Sequence, residues 1–200
     1  MIGAVVLAAG ESKRMGVPKL LLPYREATMI EAVLAGVTAS RVDATLVVLG
    51  SGRRSIREKI RRFPVSVAVN SRFREGMLSS IQKGVSSLPR DFRAVLIVLG
   101  DQPDISPSVI DALIEAWKGG KKGIVVPAFG GRRGHPLLLD LKYRREIAGL
   151  SPETGLRGLL QAHPEDVLEV DLPDAAILVD IDTPEDYRKA VGQPSGRPSP

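Results

Sequence analysis

Short apolar runs alternate with amphipathic segments along the first two thirds of the chain. Continuous hydrophobic stretches lie at positions 2–9, 44–49, 65–69, 94–99 and 123–126. Continuous rather than alternating hydrophobicity indicates strands that are covered on both faces, as in a parallel sheet between two layers of helices. We therefore predict an α/β fold of three layers, built on a doubly wound and mostly parallel sheet.

Helix start signals support this alternation. Ser106 followed by Pro107 predicts the N-cap and first residue of a helix, whose apolar stripe ends at Trp117, a residue we place in the core. Thr183 and Pro184 repeat the signal near the end of the chain. Both helices follow segments that carry acidic residues.

The pattern becomes less regular beyond position 130. Helical periodicity recurs at 143–148 and 156–162, and shorter apolar runs predict strands at 136–139, 167–170 and 176–179. We interpret this part as a small insertion of antiparallel or mixed strands at one edge of the sheet. Residues 1–191 are expected to form one domain, and the Pro-, Gly- and Ser-containing residues 192–200 a disordered tail.

The composition limits the kinds of cofactor and catalytic group that the protein can use. The 200 residues are 44% hydrophobic and include no cysteine and two histidines. These counts exclude a disulfide scaffold, cysteine-ligated zinc, an iron–sulfur cluster and a thiol nucleophile, and they argue against a histidine-based metal site. The net charge of +5 is spread among 23 acidic residues, so it only weakly favours anionic partners.

Nucleic-acid and membrane partners are not expected. The basic cluster at 53–62 surrounds a helix without interleaved aromatic residues, which is typical of a solvated face. The apolar stretch at the N-terminus is too short for a signal-peptide core, and no run approaches the ~20 apolar residues of a spanning helix. We expect a cytoplasmic protein.

The first predicted strand leads into a loop of small and basic residues. Small residues and glycines let backbone N–H groups approach a phosphate, and two basic side chains add positive charge. The loop matches neither the Walker pattern nor the G-x-G-x-x-G of nicotinamide-dependent dehydrogenases. It predicts a triphosphate site, although an ordinary basic turn would show similar spacing. The candidate residues are Leu7, Ala8, Ala9, Gly10, Ser12, Arg14 and Lys19.

Carboxylates follow two of the predicted strands. Asp101 lies just beyond strand 94–99, where open α/β sheets bind ligands, and its oxygens suit Mg²⁺. Asp104 is better explained as a helix cap. If 176–182 is extended, Asp180 and Asp182 share one face and can meet Asp101 across a shared cation. Taken alone, that junction is more often capping chemistry.

Two further stretches are candidates for substrate contacts. One follows strand 65–69 and offers amide and hydroxyl groups to a base and ribose, or forms an N-capping turn; its residues are Asn70, Gly76, Ser79 and Ser80. The other is a flexible basic loop that could hold the phosphate of an acceptor, or place its histidine in a simple turn. Its residues are Arg133, Gly134 and His135.

Together these stretches resemble the molybdenum cofactor cytidylyltransferases, within the wider MobA-like nucleotidyltransferases. Residues 7–23 read L-A-A-G-x-S-x-R-M-G-x-x-K-L-L-L-P. The motifs E-G-M-x-S-S, G-D-Q-P, R-G-H-P and D-I-D-T-P-E-D follow in the order of that family. The resemblance spans nearly the whole chain and implies a Rossmann-like nucleotidyltransferase fold.

The resemblance also implies roles for these residues. The loop from Ala9 to Ser12 would hold a triphosphate with Arg14 and Lys19, and Asp101 and Asp182 would bind Mg²⁺. Arg14, Lys19, Asp101 and Asp182 are the expected catalytic residues. The acceptor would be bound by the second loop, which contains Arg133, Gly134 and His135. Where the family reads G-D-x-G, this chain has Glu153 in place of the aspartate.

The implied reaction is transfer of CMP from CTP to the phosphate of molybdopterin, with release of pyrophosphate. Ala9 favours CTP because guanylyl relatives have glycine there. A molybdoenzyme or its chaperone is the implied protein partner. Guanylyl transfer, transfer to another small phosphorylated metabolite, and a non-catalytic nucleotide- or cofactor-binding module are the alternatives; a pure binder would not need both Asp101 and Asp182.

Overall fold

A computed structural model describes residues 1–192 and contains an eight-stranded sheet between two layers of helices. Residues 193–200 of the predicted tail lie outside the described residues. Gly192, the first residue of that predicted tail, is instead the last residue of the final helix. The strands are β1 (Ile2–Ala8), β2 (Pro23–Tyr24), β3 (Ala27–Thr28), β4 (Ala44–Leu49), β5 (Val65–Val69), β6 (Ala94–Leu99), β7 (Ile124–Phe129), β8 (Arg132–Arg133), β9 (Leu137–Asp140) and β10 (Val167–Asp171).

Helices fill the intervals between most of these strands. They are α1 (Met29–Thr38), α2 (Arg53–Ile60), α3 (Met77–Ser87), α4 (Pro107–Gly119), α5 (Arg144–Gly149), α6 (Leu156–Ala162) and α7 (Pro184–Gly192). The side chain of Ser106 accepts a hydrogen bond from the N–H of Val109, so α4 begins where the Ser-Pro signal predicted. No helix in residues 1–192 is long and apolar enough to cross a membrane.

The order of the main sheet is β10-β7-β9-β6-β1-β4-β5, and β8 pairs with β7. β1 pairs in parallel with β4 and β6, β4 with β5, and β7 with β10. The mostly parallel, doubly wound sheet is confirmed. The predicted insertion is present, but only part of it lies at an edge: β10 is the edge strand, whereas antiparallel β9 lies between β6 and β7.

Two hydrophobic cores cover the two faces of the sheet. Alternate residues of β1 point to opposite sides, so Ala4 and Val6 pack with α1, α2 and α4, whereas Val5 packs with α3, α5 and α6. β6 is buried throughout and β1 at every residue but Leu7, which explains their nearly continuous hydrophobicity. Trp117 packs against the first core, as its place in the apolar stripe of α4 predicted, but it lies at the border of that core, half-buried and with Arg93 above its ring.

The strand predicted at 176–179 is wrong. Ala175–Leu178 is a 3₁₀ helix, started by the Asp174 carboxylate, which accepts from the N–H of Ala176 at 2.9 Å. Ile177 is buried, which accounts for the apolar run, and its carbonyl accepts from the N–H of His135. Asp180 and Asp182 therefore belong to an irregular segment, and strand alternation does not set their directions.

Candidate active site

A cleft of about 370 Å³ opens where β1 and β6 end side by side. The loop after β1 forms one wall and the segment before α3 forms another. Gly100 lets the two strand ends meet, because a Cβ there would lie 2.6 Å from the carbonyl oxygen of Leu7. Among the candidate residues, the cleft is lined by Leu7, Ala9, Gly10, Ser12, Arg14, Lys19, Gly76, Ser80, Asp101 and Asp182. Ala8 points into the core.

The loop after β1 contains two residues with left-handed backbone conformation. Ser12 has φ 54° and Gly16 has φ 68°, both in the left-handed region. The Ser12 hydroxyl accepts from the N–H of Lys19 at 3.2 Å, which closes the loop. Within residues 1–192, the N–H groups of Gly10, Glu11 and Ser12 donate no hydrogen bond to the protein. Free N–H groups beside a cleft are suitable donors to phosphate oxygens.

Two carboxylates converge on the ammonium group of Lys19. Its Nζ lies 2.5 Å from Oδ2 of Asp101 and 2.7 Å from Oδ1 of Asp182. The other oxygen of Asp182 accepts from the Arg14 guanidinium at 2.7 Å. Burial alone would lower the pKa of Lys19, but the two carboxylates raise it above its ordinary value. Lys19 therefore keeps its positive charge, although its side chain is only 12% exposed.

Gln102, which was not among the predicted site residues, joins the two acidic segments. Its amide nitrogen donates to Oδ1 of Asp180 at 2.7 Å and to the carbonyl of Ile177 at 3.4 Å. Beside it, the N–H of Ile181 donates to the carbonyl of Asp101 at 3.1 Å. Partial burial raises the pKa of Asp180, and the neighbouring Asp101 charge adds to this effect. These bonds hold the segment before Asp182 against the end of β6.

Asp104 takes no part in this cluster. Its carboxylate accepts from the Tyr24 hydroxyl and from the Arg25 guanidinium, both at 2.5 Å. It therefore connects the end of β6 to the β2–β3 hairpin. Ser106, rather than Asp104, caps α4, so the predicted capping role of Asp104 is wrong.

A buried polar cluster supports the wall before α3. The Asn70 amide donates to the hydroxyls of Ser79 at 2.9 Å and Ser80 at 3.0 Å, and its oxygen accepts from the N–H of Arg72. Asn70 and Ser79 are buried beneath the surface, and only Ser80 reaches the cleft. Asn70 and Ser79 thus shape this wall from below.

The cleft also contains residues that sequence reasoning missed. Phe73 and Arg74 line it, and the Arg74 guanidinium lies 5.5 Å from the ring of Phe73 and 3.4 Å from the Glu11 carboxylate. A hydrogen bond from Lys13 lowers the pKa of Glu11. The sequence pointed to them only through their position, because both lie between the candidate substrate contacts Asn70 and Gly76.

The expected acceptor loop divides between two places. Arg133 pairs with Glu169 on β10, with the Arg133 NH2 nitrogen 2.5 Å from the carboxylate, and it does not line the cleft. Gly134 is buried against the backbone of Ile177. His135 lies close enough to Asp101 for its charge to matter: burial lowers the pKa of His135, and Asp101 partly opposes this shift. Glu153 is exposed and outside the cleft.

The two carboxylates fit a divalent metal ion in part. Within residues 1–192 no group of three or more acidic, histidine or cysteine side chains forms a ready metal site. Mg²⁺ is characteristically held by one or two carboxylates, with water and substrate phosphates as its other ligands. Asp101 and Asp182 supply two carboxylates beside a loop suited to phosphate, which agrees with that donor set.

An open α/β sheet with a phosphate-type loop after its first strand, and acidic residues at the carboxyl ends of its strands, places the protein among nucleotide-binding enzymes. The chain belongs to the family defined by the MobA-like NTP transferase domain, whose model matches residues 4–167. It is a nucleotidyltransferase of this family.

Individual relatives bear several names. The chain is 30% identical to nicotine blue oxidoreductase of Paenarthrobacter nicotinovorans, over 92% of this chain and 93% of that protein. It is 25% identical to molybdenum cofactor cytidylyltransferase of Escherichia coli, over 93% of each. The structure of Rv0371c from Mycobacterium tuberculosis matches with a TM-score of 0.85 at 28% identity, covering 96% of this chain and 97% of that one. The manganese complex of Rv0371C matches with a TM-score of 0.82 at 26% identity, covering 96% and 99%.

Proposed function

We propose that the protein transfers CMP from CTP to the phosphate of a molybdopterin-type acceptor, using Mg²⁺ held by Asp101 and Asp182. The observation that carries the proposal is the convergence of Lys19, Asp101 and Asp182 beside free loop N–H groups. The manganese complex of Rv0371C supports a divalent metal ion. A molybdoenzyme or its chaperone is the proposed recipient of the product.

The reaction needs positioning and charge neutralisation more than proton transfer. An oxygen of the acceptor phosphate attacks the α-phosphorus of CTP, and the bond from that phosphorus to the α,β-bridging oxygen breaks. Pyrophosphate leaves with the bonding electrons. The acceptor phosphate needs no strong base because its second pKa is about 6. Lys19 and Arg14 stabilise the departing phosphates, and bound Mg²⁺ would neutralise further negative charge.

The choice of CTP rests on Ala9 and on the cytidylyltransferase relative. Ala9 lines the cleft at the end of β1, and the family resemblance implies glycine at this position in guanylyl relatives. A methyl group there narrows the space next to the loop. The test is to supply the protein and Mg²⁺ with each of the four nucleoside triphosphates, with and without a molybdopterin-type acceptor, and to measure pyrophosphate.

The outcomes of this assay separate the alternatives. Acceptor-dependent pyrophosphate release with CTP supports the proposal, and release only with GTP replaces it by guanylyl transfer. No pyrophosphate release with any of the four triphosphates points to a nucleotide-binding module. Release that needs a different phosphorylated metabolite would change the acceptor and keep the chemistry.

A redox function is the second candidate because of the 30% identity to nicotine blue oxidoreductase. The loop after β1 lacks the G-x-G-x-x-G spacing of dinucleotide-binding folds. Binding of reduced nicotinamide dinucleotides, measured by fluorescence in competition with CTP, distinguishes the two. Tight dinucleotide binding that CTP does not displace would favour the redox function.

A further inference from the structure

The ammonium group of Lys19 and a metal ion compete for the same oxygens. Both carboxylate oxygens of Asp182 already accept from a cation, one from Lys19 and one from Arg14, each at 2.7 Å. Lys19 also takes Oδ2 of Asp101 at 2.5 Å. Mg²⁺ binds carboxylate oxygens at about 2.0–2.1 Å, so an ion bound to these oxygens would lie next to the ammonium group of Lys19. The Mg²⁺ ion and the ammonium group would then repel each other strongly.

The position of Lys19 gives its side chain a second destination. Its backbone N–H donates to the Ser12 hydroxyl, within the loop whose residues with free N–H groups line the cleft. The flexible side chain can therefore turn from the carboxylates toward a phosphate in the loop without a change in the backbone. A triphosphate in the loop would offer the ammonium group new anionic partners.

We propose that Lys19 acts as an internal counter-ion, which keeps Asp101 and Asp182 closed to a divalent metal until a triphosphate draws its ammonium group away. This inference rests on the proposed function, since it takes these carboxylates as the metal ligands. Metal and triphosphate then bind with positive cooperativity, and each raises the affinity of the protein for the other by the same factor.

The test measures binding of Mn²⁺ alone, without nucleotide, from the loss of the free-ion electron paramagnetic resonance signal. Lys19→Met removes the competing charge and is expected to bind Mn²⁺ about tenfold more tightly than the wild type. Lys19→Arg keeps the charge and is expected to bind weakly, like the wild type. The gain must disappear in the double variant Lys19→Met/Asp101→Asn. Thermal unfolding checks the fold, and Lys19→Gln replaces Lys19→Met if the latter does not fold.

A measurement on the wild-type protein gives an independent result. Saturating Mn²⁺ is expected to displace the ammonium group and to increase acylation of Lys19 several-fold, relative to Lys83 on α3, as read by mass spectrometry. An unchanged Lys19 reactivity at saturating Mn²⁺ overturns the inference even if no Lys19 variant folds.

The outcomes also separate this inference from the proposed function. If Lys19→Met binds Mn²⁺ no more tightly than the wild type, while Asp101→Asn weakens binding, the counter-ion role is wrong and the metal site stands. If Asp101→Asn changes Mn²⁺ binding in neither background, the metal assignment itself fails, and the counter-ion role fails with it.

Discussion

Nζ of Lys19 lies 2.5 Å from Oδ2 of Asp101, although 82 positions separate the two residues in the chain. Parallel pairing of β1 with β6 places Leu7 opposite Leu99, so the segments that follow the two strands emerge side by side. The register brings these segments together, and the loop that Ser12 closes then places Lys19 against Asp101. A change at either residue should affect function while the strands beneath remain paired.

Asp101→Asn is expected to reduce transfer by roughly 100-fold or more and to leave the fold intact, because it removes one of the two carboxylates proposed to hold Mg²⁺ beside the reacting phosphates. Pyrophosphate release and thermal unfolding provide the two measurements. Asp104→Asn is the matched control, since Asp104 bonds to Tyr24 and Arg25 away from the cleft. Near wild-type turnover by Asp101→Asn would refute the assignment of Asp101.

Gln102→Leu is expected to lower kcat roughly tenfold, because Asp182 loses part of the support that positions it. The variant removes the hydrogen bonds to Ile177 and Asp180. Gln82→Leu is the control, because Gln82 donates to backbone carbonyls around α5, far from the acidic segment. Equal effects of the two substitutions on kcat would show that Gln102 has only a structural role.

Gly100→Ala is expected to destabilise the protein by about 1–3 kcal/mol, since the new methyl group would press on the backbone between β1 and β6. Gly149→Ala is the control, because a Cβ there meets nothing within 4 Å. Denaturant unfolding of both variants measures the difference. A stable Gly100→Ala protein would mean that the strand ends separate at little cost.

Stability is expected to fall on acidification in a manner that depends on His135. Its folded-state pKa is lowered from 6.5, so below that pH the unfolded chain binds a proton that the folded protein resists. The contribution of His135 is therefore complete above pH 6.5 and is lost as the pH falls toward the folded pKa. Unfolding of wild type and His135→Gln at about pH 7.5 and about pH 5 measures it. An equal loss in both proteins would contradict the expectation.

The central strands β4 and β6 were predictable because nearly all of their residues are buried, and both coincide with their apolar runs. β5 also coincides with its predicted run, although it is the edge strand and is only partly buried. The 3₁₀ helix at Ala175–Leu178 was not predictable, because burial of Ile177 gives an apolar run whatever the backbone does. Local hydrogen bonding by Asp174 decided its conformation.

The candidate site was predictable to the extent that residues follow strands. The sequence placed Lys19 in the loop after β1 and Asp101 just beyond β6, and their contact follows from the pairing of these two strands, which no local pattern specifies. The part played by Gln102 depends on a contact across 78 positions, which no local spacing encodes. Arg133 was expected near a substrate because of its charge, yet Glu169 on the adjacent edge of the sheet pairs with it.

The reversed direction of β9 has a consequence for what borders the cleft. The residues that precede a parallel strand lie at the amino end of the sheet, remote from ligands. Because β9 runs opposite to β6, β9 begins at the carboxyl end of β6, where Asp101 lies. His135 is therefore placed at this end, just before β9 begins. One inverted strand thus allows the later half of the chain to contribute to a site that the earlier half builds.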